Sequence, residues 1–384
     1  MNTAGTADKT ANAADGMREY TEEDCLWLRL AGEKLPVVLY GTGNGADKIL
    51  DACIKYGIKI SGVFAGDGVV RNREIRGFKV ESLEDIEKRL SDFIILLCFG
   101  TTRADVTEQI REAARRHKMY IPDVPLYGGE LFDYGFFLRS REKLAAARSL
   151  LSDAESKAVF DDMISFRLGG EGKYLSRTES AEESLEVLIA PYVKKGGLCI
   201  DCGAFTGDSA SAAVSTLSPE CLIAAEPDSR SFRKLSEYAG SEGRCRVVPV
   251  NAAVGDTLGQ TVFLSGSGRS SGKATNARRA KEISVRTVTV DSLCDGENNA
   301  PVFIKYDVEG DEAAALRGSE RTIRDFRPAL AVSVYHRSAD IFEIPLYLHT
   351  LCPSYSFYLR RVPCIPAWDI TLFAVDTGRV AENE

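Results

Sequence analysis

Histidine is scarce in this chain, with three in 384 residues, so chemistry that needs an imidazole has few places to reside. Long apolar runs are missing. The longest, Phe93 to Phe99, has the length of a buried strand and falls well short of the ~18 residues that cross a bilayer. The opening residues, MNTAGTADKTANAADG, lack the apolar stretch of a secretory leader. Positive charge is not in surplus. A net charge of −8 and a pI near 5.3 argue against sequence-independent binding of nucleic acid phosphates. Ten cysteines are a modest number, and Cys98, Cys199 and Cys221 sit in apolar runs where a thiol packs as a small hydrophobe. Cys199 and Cys202 form a CxxC with no second pair and no spaced histidine, so neither a zinc site nor a redox pair is expected. Reduced thiols without a leader point to a cytoplasmic protein.

What is present reads as globular. Hydrophobic residues at 44% and charged residues at 27% exclude a disordered, collagenous or coiled-coil chain, and the length suits two domains. Residues 1–22 are small and polar and read as a mobile tail. Apolar runs then alternate with helical patterns. Strands are expected at Leu35–Tyr40, Ile58–Phe64, Phe93–Phe99 and Met119–Ile121, with a helix over Arg103–Arg116. Residues 141–190 read as a helical connector. A second alternation follows, with strands near Gly197–Asp201, Cys221–Glu226, Arg246–Val250, Ser284–Val290, Val302–Tyr306, Ala329–Tyr335 and Asp369–Val375. The expected fold is α/β, two tandem doubly wound modules: a Rossmann-like N-terminal domain over 23–140 and a second domain over 191–378.

Both modules open with a strand that runs into a glycine-bearing turn and then a helix. Such a turn admits close backbone approach by a ligand, and the helix start offers unpaired N–H groups. In the first, GTGNGA (Gly41–Ala46) is followed by Asp67, 22 residues beyond Gly45, an imitation of the dinucleotide fingerprint. Tight packing alone accounts for its glycines equally well. The second turn is DCGAFTGD, from Asp201 to Asp208, with glycines at 203 and 207 and a carboxylate at each end. Carboxylates repel a diphosphate and suit a ligand with positive charge. S-adenosylmethionine is such a ligand. Glu226, at the end of the next strand, is placed to accept both hydroxyls of a ribose.

From Gly197 to Val375 the sequence resembles the FkbM family of S-adenosylmethionine-dependent methyltransferases. The resemblance is carried in order by IDCGAFTGD, AEPDSRSFRKL, VNAAVGD, the pair Ser270-Ser271, TVTVDSL, IKYDVEGDE and SVYH. Ala225 stands where an aromatic is usual, and Tyr306 where an aliphatic is usual. The resemblance implies a class I, Rossmann-like methyltransferase sheet. It implies that Asp201, Gly203, Ala204, Phe205, Gly207 and Asp208 contact the methionine part of the cofactor. Glu226 and Pro227 would hold the ribose and Asn251 and Ala252 border the adenine, with Phe232 either flanking that pocket or packing in the core. Asp307 ends a strand, where ligands collect in open α/β sheets, or else caps the following helix.

A hydroxyl acceptor must lose a proton, so a base is required. His336 follows the strand AVSVYH on the carboxyl edge and is the favoured base or substrate-orienting group, while His117 and His349 read as surface and structural respectively. Lys305 and Glu309 flank Asp307 and join it and His336 in the expected catalytic set. The spacing of Asp307, Glu309 and His336 is no recognised metal motif, and no metal is expected. A basic stretch, Arg269, Lys273, Arg278, Arg279, Lys281 and Arg286, is either a solvated loop or a feature favouring an anionic acceptor. The family suggests a sugar or glycan hydroxyl as acceptor, possibly nucleotide-linked, as in polysaccharide biosynthesis. The N-terminal module would present that nucleotide or serve for docking and dimerisation. Two competing classes stay open: an NAD-dependent oxidoreductase using GTGNGA, and a non-enzymatic nucleotide-sugar-binding protein.

Overall fold

The computed structural model describes residues 16–66, 74–125, 127–177, 187–265, 272–273, 283–297, 300–362, 364–366 and 368–378. The chain divides into two units, one of Met1–Val124, Leu131–Ser149 and Ala158–Arg177, the other of Pro125–Glu130, Leu150–Lys157 and Thr178–Glu384. Residues 141–190, read above as a connector, are therefore divided between them; helices Tyr134–Leu150 and Ala154–Gly169 occupy most of that stretch.

In the first unit the strands are β1 (Val37–Tyr40), β2 (Ile60–Phe64), β3 (Glu74–Ile75), β4 (Phe78–Glu81), β5 (Ile94–Leu97) and β6 (Lys118–Tyr120). They lie in the order β3-β4-β2-β1-β5-β6, all parallel except β3. VVLY and IILL are buried at every position, as central strands covered on both faces must be. Helix Asn44–Lys55 covers the sheet through Ala46, Ile49, Leu50 and Cys53. The glycines at its start are partly explained by packing. A Cβ on Gly41 would stand 2.7 Å from the Phe99 ring, and one on Gly45 would run into the Cys98 carbonyl; Gly43 faces open space. Asp67, the expected ribose partner in this unit, lies outside the described residues. Two expectations change here. Met17 and Tyr20 are buried rather than part of a mobile tail. His117 is not on the surface: it stacks on Phe93 at 4.0 Å and its Nε2 meets Glu87 at 2.8 Å.

In the second unit the large sheet comprises β7 (Leu198–Cys202), β8 (Cys221–Ala225), β9 (Arg246–Val250), β14 (Pro301–Tyr306), β15 (Ala329–Ser333), β16 (Tyr355–Arg361) and β17 (Ile370–Asp376). Its order is β16-β17-β15-β14-β7-β8-β9. β17 runs antiparallel to β15 and to β16, and the other pairings are parallel. Four short strands, β10 (Ala253–Val254), β11 (Thr261–Ser265), β12 (Gly272–Lys273) and β13 (Ile283–Val288), form a separate small sheet. The edge strand β16 is not among the expected ones. Its outer N–H groups at Phe357 and Leu359 donate to Ser152 Oγ at 3.0 Å and Ser156 Oγ at 2.9 Å, which closes an otherwise open edge. The chain steps outward from β7 to β9, then returns to lay β14 on the other side of β7. That reversal opens a crevice at the carboxyl ends of β7 and β14.

Candidate active site

The crevice is built from three turns: Gly203–Gly207 after β7, Glu226–Asp228 after β8, and Asp307–Asp311 after β14. Gly203 is held at φ +89 with its α-carbon against the Asp307 carbonyl, where no side chain fits. Its N–H and that of Ala204 donate to Ala225 O at 2.9 and 3.0 Å, tying this turn to the end of β8. Gly207, at φ +102, opens helix Asp208–Leu217 and faces the Tyr238 ring. Between them Phe205 adopts φ +49, a left-handed conformation uncommon for a side-chain-bearing residue.

Glu226 joins the first two turns. Oε2 accepts from the Phe205 N–H at 2.9 Å and Oε1 from the Asp228 N–H at 2.7 Å, leaving each oxygen a free lone pair. Burial pushes this carboxyl up to about 7; the two N–H donors pull against that shift, and the Asp228 and Glu309 charges add to it. Asn251 spends its amide on the Glu226 and Pro227 carbonyls at 2.8 and 3.3 Å, and Ala252 is buried. Phe232 packs against the core of this unit.

Asp201 is not an open acidic wall. It is buried, accepts from Ser209 Oγ at 2.6 Å, and meets Lys305 Nζ at 3.3 Å. Asp208 is exposed at the helix start. The acidic surplus lies instead at the end of β14. Lys305 also reaches Asp307 Oδ2 at 3.6 Å, and its ammonium is held charged: burial opposes the charge, but Asp201 and Asp307 outweigh it. Burial raises the Asp307 carboxyl, and Lys305 and His336 more than reverse this, leaving it below the usual range.

His336 is buried amid three carboxylates. Nδ1 lies 2.9 Å from Glu312 Oε1, while Nε2 lies 3.3 Å from Glu309 Oε2 and 3.7 Å from Asp307 Oδ1. Burial disfavours the imidazolium, yet Glu312, Glu309 and Asp307 together raise its pKa well above the ordinary value. Asp307, Glu312 and His336 bring ligand-type atoms within 4.8 Å of one another. Within this trio Glu312 accepts from the Val308 and Gly310 N–H groups and faces His336 Nδ1.

The structure thus brings Lys305, Asp307, Glu309 and His336 together, and joins Asp201, Gly203 and Glu226 to them through the turns. Sequence reasoning missed Glu312, Ser209, Tyr335, whose hydroxyl meets Asp307 Oδ1 at 3.4 Å, and Tyr127, whose ring stands edge-on to His336 at 5.3 Å. Glu312 closes the string IKYDVEGDE, so its signal lies in the sequence. Tyr127 had none. Of the basic stretch, only Arg286 has a described side chain.

This strand order and crevice define a Rossmann-like methyltransferase fold. Residues 201–356 match the family model of the methyltransferase FkbM domain, so the C-terminal half of the chain carries a domain of that family. Among solved structures, methyltransferase FkbM from Methylobacillus flagellatus KT is similar at 20% identity and a TM-score of 0.64. The match covers 88% of this chain and 90% of that one, and shows a shared fold. An rRNA methylase from Streptococcus thermophilus aligns at 10% identity and a TM-score of 0.32, over 48% of this chain and 90% of that chain. Fibrillarin from Aeropyrum pernix, solved with natively bound S-adenosyl-L-methionine, aligns at 15% identity and a TM-score of 0.32, over 50% of this chain and 71% of that chain. No curated protein matches. Among the described residues no helix is long and apolar enough to cross a membrane.

Proposed function

We propose that this methyltransferase uses S-adenosylmethionine and methylates a hydroxyl oxygen of a sugar, glycan or related metabolite. The observation that carries the reading is Glu226. Its buried carboxylate keeps one lone pair free on each oxygen, at the end of β8, beside a turn with no room for a Cβ at Gly203. That carboxylate suits the diol of a nucleoside better than a diphosphate. When bound, the cofactor supplies a methyl group already activated by its sulfonium.

The chain's own work is then alignment, exclusion of water and handling of one proton. His336 would take the acceptor's hydroxyl proton at Nε2 as the oxygen is methylated. Asp307, Glu309 and Lys305 frame that nitrogen. Because the free imidazole is held protonated by its carboxylates, a cationic ligand in the crevice, which opposes that charge, favours the neutral base. The acceptor would be nucleotide-linked if the GTGNGA turn holds its nucleotide, and the first unit serves docking or self-association otherwise. Ten free thiols suit a cytoplasmic setting.

Calorimetric titration with S-adenosylhomocysteine and, separately, with NADH tests the cofactor. Saturable binding of the thioether alone supports the reading; binding of NADH alone overturns it in favour of an oxidoreductase. Transfer of a radiolabelled methyl group to a panel of free and nucleotide-linked sugars tests the acceptor.

A further inference from the structure

Glu312 is fully buried. Oε1 accepts from the Val308 N–H at 2.8 Å and lies 2.9 Å from His336 Nδ1; Oε2 accepts from the Gly310 N–H at 3.1 Å. The two backbone bonds close the turn after β14, in which Glu309 sits at φ +56. The bond to the imidazole is not needed for that closure. Both ring nitrogens face carboxylates, but Glu312 stands at 2.9 Å from Nδ1 against 3.3 and 3.7 Å from Nε2 to Glu309 and Asp307, so the one proton of the neutral ring is held best on Nδ1. Tyr127 abuts the ring edge-on at 5.3 Å and Tyr335 packs against it at 4.1 Å. Nε2 is left toward Glu309 and Asp307, at the crevice end of β14.

We propose that Glu312 is a positioning residue for proton transfer, holding neutral His336 in its Nδ1–H form so that Nε2 receives the acceptor's proton. This deepens the methyl-transfer reading and rests on it. The groups that face the ring are Asp307 and Glu309 from the turn after β14, Glu312 from the next helix, Tyr335 beside it and Tyr127 from the 125–130 segment. Lys305 stands beyond Asp307. The logic is that of a carboxylate behind a catalytic histidine, where loss of the carboxylate's charge spoils the tautomer.

The chain's three histidines make direct observation practical. Full-length protein labelled with 15N-histidine would be followed by two-bond proton–nitrogen correlation across a pH titration, with His336→Ala assigning the resonance. The expected neutral form carries its proton on Nδ1, and Glu312→Gln lowers the inflection by about one to two pH units, the scale of a lost charge-assisted hydrogen bond. A neutral wild-type His336 protonated on Nε2 would overturn the proposal, as would a Glu312→Gln titration identical to wild type. The wild-type tautomer decides the matter even if Glu312→Gln fails to fold. Titration with S-adenosylhomocysteine on the same samples reports the cofactor reading separately.

Discussion

Lys305 lies directly across from Asp201 in the β7–β14 register, and its ammonium reaches that carboxylate at 3.3 Å. The pair joins the first turn of the crevice to the last. Removing the cation would leave Asp201 buried without its counter-charge. Lys305→Ala is therefore expected to cost roughly 3 kcal/mol of stability, read as a lower denaturation midpoint, with part of the loss recovered in the double variant with Asp201→Asn. A midpoint equal to wild type in the single variant would refute this account.

The same network sets an acid limit. Asp307 is held below its ordinary range by Lys305 and His336 against the effect of burial, so its contribution is present above the unfolded-state pKa of about 4 and fades as pH falls through its lower folded value. Thermal melts from neutral pH downward should show Asp307→Asn losing less stability than wild type over that acid window.

Glu226 runs the other way. Its folded pKa of about 7 exceeds the unfolded value, so ionising it costs stability as pH rises from the unfolded value toward 7. A ribose diol prefers the carboxylate as acceptor, so affinity for S-adenosylhomocysteine should climb as pH is raised through about 7 and then level off. Glu226→Gln should weaken binding by about tenfold or more and flatten that pH dependence. A Gln variant that retains the slope would assign the titration to another group.

Two glycines offer a matched contrast. Gly203→Ala forces a Cβ into the Asp307 carbonyl at φ +89, so it should abolish S-adenosylhomocysteine binding and lower the melting temperature. Gly43→Ala meets nothing within 4 Å and should leave the melting temperature near wild type. If the GTGNGA turn holds a nucleotide, this second variant weakens nucleotide-sugar binding alone. Equal behaviour of the two variants in both assays would contradict the packing described here.

Continuous apolar runs made the central strands legible, because a strand buried on both faces is mostly apolar. VVLY, IILL and CLIAA announce themselves in this way. Strand β16 did not, since YSFYLRR ends in two arginines and its buried Arg360 finds Ser156 Oγ and Asp153 only through the folded chain. The β3–β4 hairpin was hidden by its turn: Arg76 and Gly77 both take positive φ, and arginine is an unusual first residue there. Lys305 beside Asp307 followed from alternation along one strand, whereas Tyr127 against His336 joins residues with no local pattern in common. The expected acidic turn at Asp201–Asp208 is not open, since Asp201 is paired with Lys305, and carboxylates gather after β14 instead.

Strand β17 lies beyond residue 356, yet it joins β16 to β15, and Tyr127 lies far upstream of residue 201. A fragment excised at the limits of the family match would thus lose β17 and most of β16, bare the edge of β15 and strip Tyr127 from its histidine. Dissection of this enzyme by truncation is expected to yield insoluble material, and its halves must be studied within the intact chain.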